Sequence, residues 1–289
     1  MKKSSRKRRL WILALCVLLS LSFCLTLQYT AACDLQGRHA RIVSPVYNEN
    51  TLLRLQNVPH LTGDCVFMGS SITERFPITE NISVIAVPSS SFTAACILMD
   101  RCVQFPEGTT YVLEVNNLFN GNYWDVLHRT ETWDFYALAD NKILSLSARP
   151  VNLLVSYVYL NTASSDQQVG EDECFDTPVE QPEVLKEEPP TEEELQKWSE
   201  ILQWMQKLRA KGGKLCLAYY PSRDLKGFEK SYAKAKKLAV YADVPILNYN
   251  KEEWLPRLVF TDHHHQKPRV PETAKFRNTV ARDARKCAR

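Results

Sequence analysis

Val66-Phe67-Met68-Gly69-Ser70-Ser71-Ile72-Thr73-Glu74 is the stretch whose reading decides the fold. Its three apolar residues are too few for a helix and suit a short buried strand of a parallel sheet. Gly69 then permits a tight turn and a close backbone approach that a side chain would resist. Ser71 therefore stands just past the carboxyl end of a strand, the end at which open α/β sheets bind ligands. What the site becomes depends on whether the rest of the chain brings a base to Ser71.

Working outward, further strands are expected at Ile82–Val87, Tyr111–Val115, Leu215–Tyr219 and around Pro245–Leu247. Helices are expected at Phe92–Arg101, as two pieces within Tyr123–Leu160 broken near Pro150, and at Phe228–Tyr241. Strands alternating with helices define an α/β chain with a parallel sheet covered on both faces. Asp166–Glu194 departs from this rhythm: it is densely acidic, carries Pro178, Pro182, Pro189 and Pro190, and has Lys186 as its one basic residue. Such a composition buries too little apolar area to offset chain entropy, so a solvated insertion is expected. It ends at the capping box Thr191-Glu192-Glu193-Glu194. Leu195, Trp198, Ile201, Leu202, Met205 and Leu208 follow on one helical face, with Gly212-Gly213 as the stop. That stripe reads as core packing against the sheet rather than a groove for a partner. A last helix starting at Pro271-Glu272-Thr273 carries Lys275, Arg277, Arg282, Arg285 and Lys286 and reads as a solvated cover of the sheet.

Leu10–Leu27 is uncharged and long enough to cross a bilayer core. Lys2, Lys3, Arg6, Lys7, Arg8 and Arg9 precede it, so the amino terminus is expected in the cytoplasm and everything after Leu27 on the other side. Thr30-Ala31-Ala32-Cys33 offers small residues for cleavage and a cysteine for lipidation. Thr30 stands where a lipidation site wants an aliphatic residue, and the reading is an uncleaved anchor. The organisation expected is a cytoplasmic basic segment and anchor over residues 1–28, an approach segment over 29–60, and one domain over 61–289 carrying the acidic insertion at 164–191. The net charge of +3 is small and its basic residues cluster at the two ends. Nucleic-acid binding needs a basic stripe interleaved with aromatics and is not expected. Cys16 and Cys24 lie in the apolar run, which leaves an odd number of cysteines outside it. Cys96 with Cys102, or Cys65 with Cys174, are possible bridges, and spacing leaves the pairing open. The absence of CxxC spacing argues against structural zinc.

The second decisive stretch is Phe260-Thr261-Asp262-His263-His264-His265-Gln266-Lys267-Pro268. Hydrolysis by a serine needs an imidazole to take its proton and an acceptor to hold the imidazole's other nitrogen. Asp262 and His265, three apart on a turn or a first helical turn, meet that need. The alternative for three consecutive histidines is a solvent loop or a metal site. Consecutive side chains diverge, however, and His39, His60 and His128 sit in no ligand motif. No metal and no cofactor is expected. Asp125 and His128 are also three apart, without a serine motif, and His263 and His264 are given no role.

Gly69-Ser70-Ser71-Ile72 with Asp262-x-x-His265 on an alternating chain resembles the SGNH/GDSL hydrolase superfamily, from Asp64 to the carboxyl terminus. The resemblance implies a three-layer αβα flavodoxin-like sandwich, with Ser71 as nucleophile, His265 as base and Asp262 as its orienting group. It also implies an oxyanion hole built from the Ser71 N–H, a donor after the second strand and an asparagine after the third. Here the second strand ends Val87-Pro88-Ser89-Ser90-Ser91, a serine standing where the family has glycine, and Ser90 is the donor expected. The third ends Glu114-Val115-Asn116-Asn117, without the family's preceding glycine or following aspartate; Asn116 is the first choice and Asn117 the second. The function implied is a membrane-anchored, extracytoplasmic serine esterase. Its expected partners are the membrane, through residues 10–27, and an O-acylated, foremost O-acetylated, envelope or exported polysaccharide or a small ester. Two alternatives stay open: an acyltransferase resembling the teichoic-acid D-alanylation or alginate O-acetylation proteins, and a catalytically inactive relative that binds glycan or a partner.

Overall fold

The computed structural model describes residues 2–37, 47–119, 130–131, 133–138, 141–162, 170, 172–185, 187–223, 228–267 and 270–288. Asp125, His128, His39, Asp166 and Lys186 lie outside them. The chain divides into two compact units, residues 1–57 with 132–165, and residues 58–131 with 166–289.

The larger unit is an α/β domain around a five-stranded, all-parallel sheet of order β2-β1-β3-β4-β5. The strands are β1 (Cys65–Gly69), β2 (Ile82–Ala86), β3 (Thr110–Glu114), β4 (Lys214–Tyr219) and β5 (Ile246–Asn248), each within one or two residues of the expected run. The apolar stretch of β1 is buried along its whole length, which a strand covered on both faces requires. Its neighbours are in step at Phe67↔Val84 and Phe67↔Val112, so the ends of β1 and β3 open side by side. Crossover helices α3 (Phe92–Cys102) and α8 (Glu229–Ala242) match their expected spans closely. Ser91 caps α3 by accepting from the Thr93 N–H.

The Thr191 capping box is present, with the Thr191 N–H donating to Glu194 Oε2 at 2.9 Å and the Glu194 N–H to Thr191 Oγ1 at 3.2 Å. The single helix expected after it is two, α6 (Glu192–Lys197) and α7 (Ser199–Ala210), separated at Trp198. Trp198, Ile201, Met205 and Leu208 are buried, as core packing demands.

The last helix, α9 (Pro271–Cys287), corrects the reading of a solvated cover. Phe276, Val280, Ala281 and Ala284 pack into a core with Phe67, Val112, Cys216, Ala218 and Leu247 from the sheet. Its polar residues Arg277, Asn278, Thr279 and Asp283 are buried as well. They are buried because the acidic segment is not a free insertion either. Residues 172–185 carry no helix or strand, yet their backbone is held by α9. Asn278 Nδ2 donates to the carbonyls of Gly170 (2.8 Å) and Glu173 (2.9 Å). Thr279 Oγ1 accepts from the Phe175 N–H (3.0 Å), and Asp283 Oδ2 from the Glu180 N–H (3.1 Å). At the open sheet edge the Glu183 N–H donates to the Ile246 carbonyl at 3.2 Å. Phe175 adds an edge-on contact to Trp254 at 5.8 Å. None of residues 172–185 is buried, as their composition predicts; what composition does not predict is that backbone groups of this solvated segment are satisfied by buried side chains of a helix far along the chain.

The nine cysteines are not joined in disulfides. Cys96 and Cys102 lie on one helix, α3, and Cys65 opens β1. Burial pushes the Cys65 thiol up to about 12, and the Cys96 thiol further, which makes both inert.

The smaller unit contains α1 (Lys2–Gly37), α2 (Tyr47–Gln56), α4 (Trp133–Ala137) and α5 (Pro150–Thr162). Within α1, Trp11–Leu35 is long and apolar enough to cross a membrane, with mean hydropathy 2.1. The expected approach segment over 29–60 thus contains the end of one helix and a second. The helices α4 and α5 fall in the Tyr123–Leu160 region where two are expected, and Pro150 opens the second, as its fixed φ allows at a first helical position. The part of this unit at 132–165 is a sequence insertion between β3 and β4 of the other.

Candidate active site

Ser71 follows β1, and β1 lies between β2 and β3, where the strand order reverses direction. Crevices at such a reversal, outside the carboxyl ends of the strands, are where α/β sheets bind ligands. The turn that presents Ser71 is organised by a residue with no role in the sequence reading, Glu114 at the end of β3. Its buried carboxyl accepts from the Ser70 N–H (2.8 Å), Ser70 Oγ (2.6 Å), the Thr73 N–H (3.2 Å) and Thr73 Oγ1 (2.6 Å). These four donors, joined by Asn117 Nδ2 at 3.4 Å, converge on one carboxyl and fix the backbone on both sides of Ser71. Gly69 is needed for the same reason: a Cβ there would meet Glu114 Oε2 and Thr73 Oγ1, each at 2.4 Å. Just beyond the turn, Phe76 packs edge-on against Phe67 (5.4 Å) and Tyr220 (5.2 Å), which anchors the segment in the core.

His265 arrives on a loop whose neck is the bridge between Phe260 and Gln266. Asp262 Oδ1 accepts from the backbone N–H groups of His264 and His265, both at 2.8 Å, so the aspartate shapes the turn that carries its own histidine. His265 Nδ1 lies 2.8 Å from Asp262 Oδ2 and 3.0 Å from Oδ1, and His265 Nε2 lies 2.8 Å from Ser71 Oγ. With the ring proton on Nδ1 donated to Asp262, Nε2 is the acceptor for the serine proton. The loop is pinned from below by Ser222, after β4. Its hydroxyl contacts the His263 carbonyl (2.9 Å) and His264 Nδ1 (2.8 Å), while the Arg223 N–H donates to the same carbonyl at 2.8 Å. His264, given no role in the sequence reading, thereby ties the loop to the sheet.

Burial raises the Asp262 carboxyl, but hydrogen bonds from the His264 and His265 N–H groups and the His265 ring outweigh it and hold the group well below its ordinary value of 3.8. A depressed folded value means that the ionised loop is favoured by folding. Its contribution is full above pH 3.8 and is lost as pH falls through the lower folded value. A ¹³C-detected titration of the Asp262 carboxyl should give a midpoint below 3.8; one above it contradicts the hydrogen bonding just described.

The loops after β2 and β3 place the remaining candidates differently from one another. Asn116 is buried and locked to one backbone, its Nδ2 donating to the Tyr220 carbonyl (3.0 Å) and its Oδ1 accepting from the Tyr220 N–H (2.9 Å). Asn117 is the asparagine at the Ser71 turn, its Nδ2 donating to Ser70 Oγ at 2.9 Å and to Glu114 Oε1 at 3.4 Å. It also lines a shallow pocket of about 290 Å³ with Phe119, Lys230, Ser231 and Lys234. After β2, the Ser90 N–H and hydroxyl both point to the Val87 carbonyl, at 3.3 and 2.6 Å. Pro88, Ser89 and that bond have the pattern of a type II turn, and Ser89 at its third position has φ 58°. A serine is strained in this left-handed region where glycine is not, so Ser89→Gly is expected to stabilise the domain by up to about 1 kcal/mol. The midpoint of urea unfolding reads this directly, and a fall in midpoint would refute it.

Comparison of the chain with protein-family models, with curated proteins and with solved structures returns no match.

Proposed function

We propose that the chain is a membrane-anchored serine esterase of SGNH/GDSL type that removes O-acyl groups, foremost O-acetyl, from envelope or exported polysaccharide. The observation that carries this reading is the unbroken run of hydrogen bonds from Ser71 Oγ to His265 Nε2 and from His265 Nδ1 to Asp262, each 2.8 Å. In the reaction, Ser71 Oγ attacks the ester carbonyl carbon while His265 Nε2 takes its proton. The tetrahedral oxyanion collapses, the C–O bond to the sugar breaks, and His265 returns the proton to the leaving alkoxide. Water, deprotonated by the same nitrogen, then releases the acid and regenerates Ser71.

The oxyanion donors in this scheme are the Ser71 N–H and the Asn117 side chain, with the loop at Ser89 as the third contributor. Asn116 and Ser90 serve instead to hold their loops through backbone carbonyls, whereas Asn117 Nδ2 rests on side chains of the turn itself, Ser70 Oγ at 2.9 Å and Glu114 Oε1 at 3.4 Å, and in this scheme exchanges them for the oxyanion. The 2-1-3-4-5 strand order with burial on both faces supports the flavodoxin-like three-layer arrangement of the proposed family. Hydrolysis is favoured over acyl transfer because the Asp262 side chain is 50% exposed, and a site open to water favours water as acceptor. The polymer is proposed from anchorage: with α1 crossing the membrane and its basic end in the cytoplasm, the site faces the envelope.

A fluorophosphonate probe tests the reading. Wild type should be labelled at Ser71, and Ser71→Ala and His265→Ala should not. An unlabelled wild type would mean that Ser71 is not activated and would favour the inactive binding protein.

A further inference from the structure

The helix α5 exposes an apolar stripe while burying polar side chains. Two of its three buried positions among the described residues, Asn152 and Ser156, are polar, at 0% and 1% exposure, with Leu153 the third, whereas Val151, Leu154 and Val158 on its outer face are 50%, 65% and 55% exposed. The spacing of those three puts them on one stripe, and Leu144, in the turn before the helix, is 64% exposed. A stripe of this kind wants a non-aqueous neighbour.

The contacts of α5 and its preceding turn say which. Gln28, a polar residue near the end of the apolar run of α1, donates from Nε2 to the carbonyls of Ile143 (2.7 Å) and Ala148 (2.8 Å). Ile143 lies against the apolar face of α1, sharing a groove with Leu18, Leu21, Leu25 and Tyr29. Higher up, Tyr157 donates to Asp34 Oδ2 at 2.6 Å, and Ala32, Leu35, Ala148 and Leu153 form a small buried cluster. Trp11 and Tyr29, both exposed, are about 27 Å apart along α1 at ~1.5 Å per residue, close to the thickness of a bilayer core with aromatics at each boundary. Gln28 and the turn it holds are therefore level with one boundary. Gln28 satisfies both of these carbonyls, so the turn brings no unpaired acceptor from this pair to the lipid.

We propose that the turn at Ile143–Leu144 and the outer face of α5 lie in the surface of the same bilayer that α1 crosses, with Leu144, Val151, Leu154 and Val158 among the lipid chains. The proposal rests on α1 being the anchor. It makes the inserted segment between β3 and β4 a second membrane contact, in plane, beside the spanning helix.

The test places the photoreactive residue benzoylphenylalanine at Leu154, at Leu18 within α1, or at Gln203 on α7, each in the full chain reconstituted in phosphatidylcholine–phosphatidylglycerol vesicles. After irradiation, lipid adducts are counted by mass spectrometry. Adducts at Leu154 comparable with those at Leu18, and their loss at Gln203, are expected. Adducts at Leu18 alone overturn the in-plane contact and leave the anchor standing; adducts at neither position overturn both. A protein–protein crosslink at Leu154 in place of a lipid adduct would mean that a second copy covers the stripe, and also overturns it.

Discussion

Ser71→Ala is expected to lose about 10⁴-fold or more in hydrolysis of a small acetyl ester, with little change in stability. The hydroxyl is the only atom removed, and its hydrogen bond is to His265 Nε2 at the open end of the sheet rather than into the core. His265→Ala should lose a similar factor, and the double variant should be hardly worse than either single one, because nucleophile and base act in one step. Asp262→Asn should fall less far than either. The asparagine Oδ1 still accepts from the His264 and His265 N–H groups, but its Nδ2, a donor, then stands where Oδ2 faced His265 Nδ1 and favours the tautomer with the ring proton on Nε2. Release of acetate, followed alongside thermal unfolding, separates loss of chemistry from loss of fold. Simple addition of the Ser71 and His265 effects would count against a shared step.

Glu114→Ala is the substitution expected to cost most stability. It leaves the Ser70 N–H and hydroxyl and the Thr73 N–H and hydroxyl without their shared acceptor at buried positions. An orphaned buried donor costs about 1–3 kcal/mol, and relaxation of the turn and entry of water reduce the total to about 3–5 kcal/mol. At about 2–4 °C per kcal/mol for a domain of this size, Tm should drop by about 6–20 °C. Activity of the folded fraction should fall by about 10², because the turn that aims Ser71 loses its support. Ser70→Ala and Thr73→Val, which each remove one donor together with its need, should cost far less. A Tm for Glu114→Ala within a degree or two of wild type would show that the carboxyl does not organise the turn.

The contrast between Glu114 and Ser71 also shows where the sequence is informative. The strands were legible because Val66–Met68, Tyr111–Val115 and Leu215–Tyr219 are short apolar runs bounded by turn residues, a pattern that burial on both faces imposes locally. The capping box at Thr191 was legible for the same kind of reason, since both of its hydrogen bonds span three residues. Glu114 was not: a glutamate ending a strand looks like a solvent-facing residue until β3 is laid beside β1. Nor did composition foretell that Gly170, Phe175 and Glu180 of the acidic segment are fastened to α9, because their acceptors and donors answer to Asn278, Thr279 and Asp283, about a hundred positions away.

By itself, then, the sequence determined the α/β alternation, a helix able to cross a membrane, and the short-range pairing of Asp262 with His265, because each depends on neighbours within a few residues. Only the tertiary structure decided that His265 Nε2 meets Ser71 Oγ, that Asn117 rather than Asn116 stands at the Ser71 turn, and that Glu114 holds that turn from beneath. Those contacts join β1 to β3 and to the loop before α9. They follow from the order in which the strands pair, a choice that hydrophobic burial makes collectively and no local run of residues records.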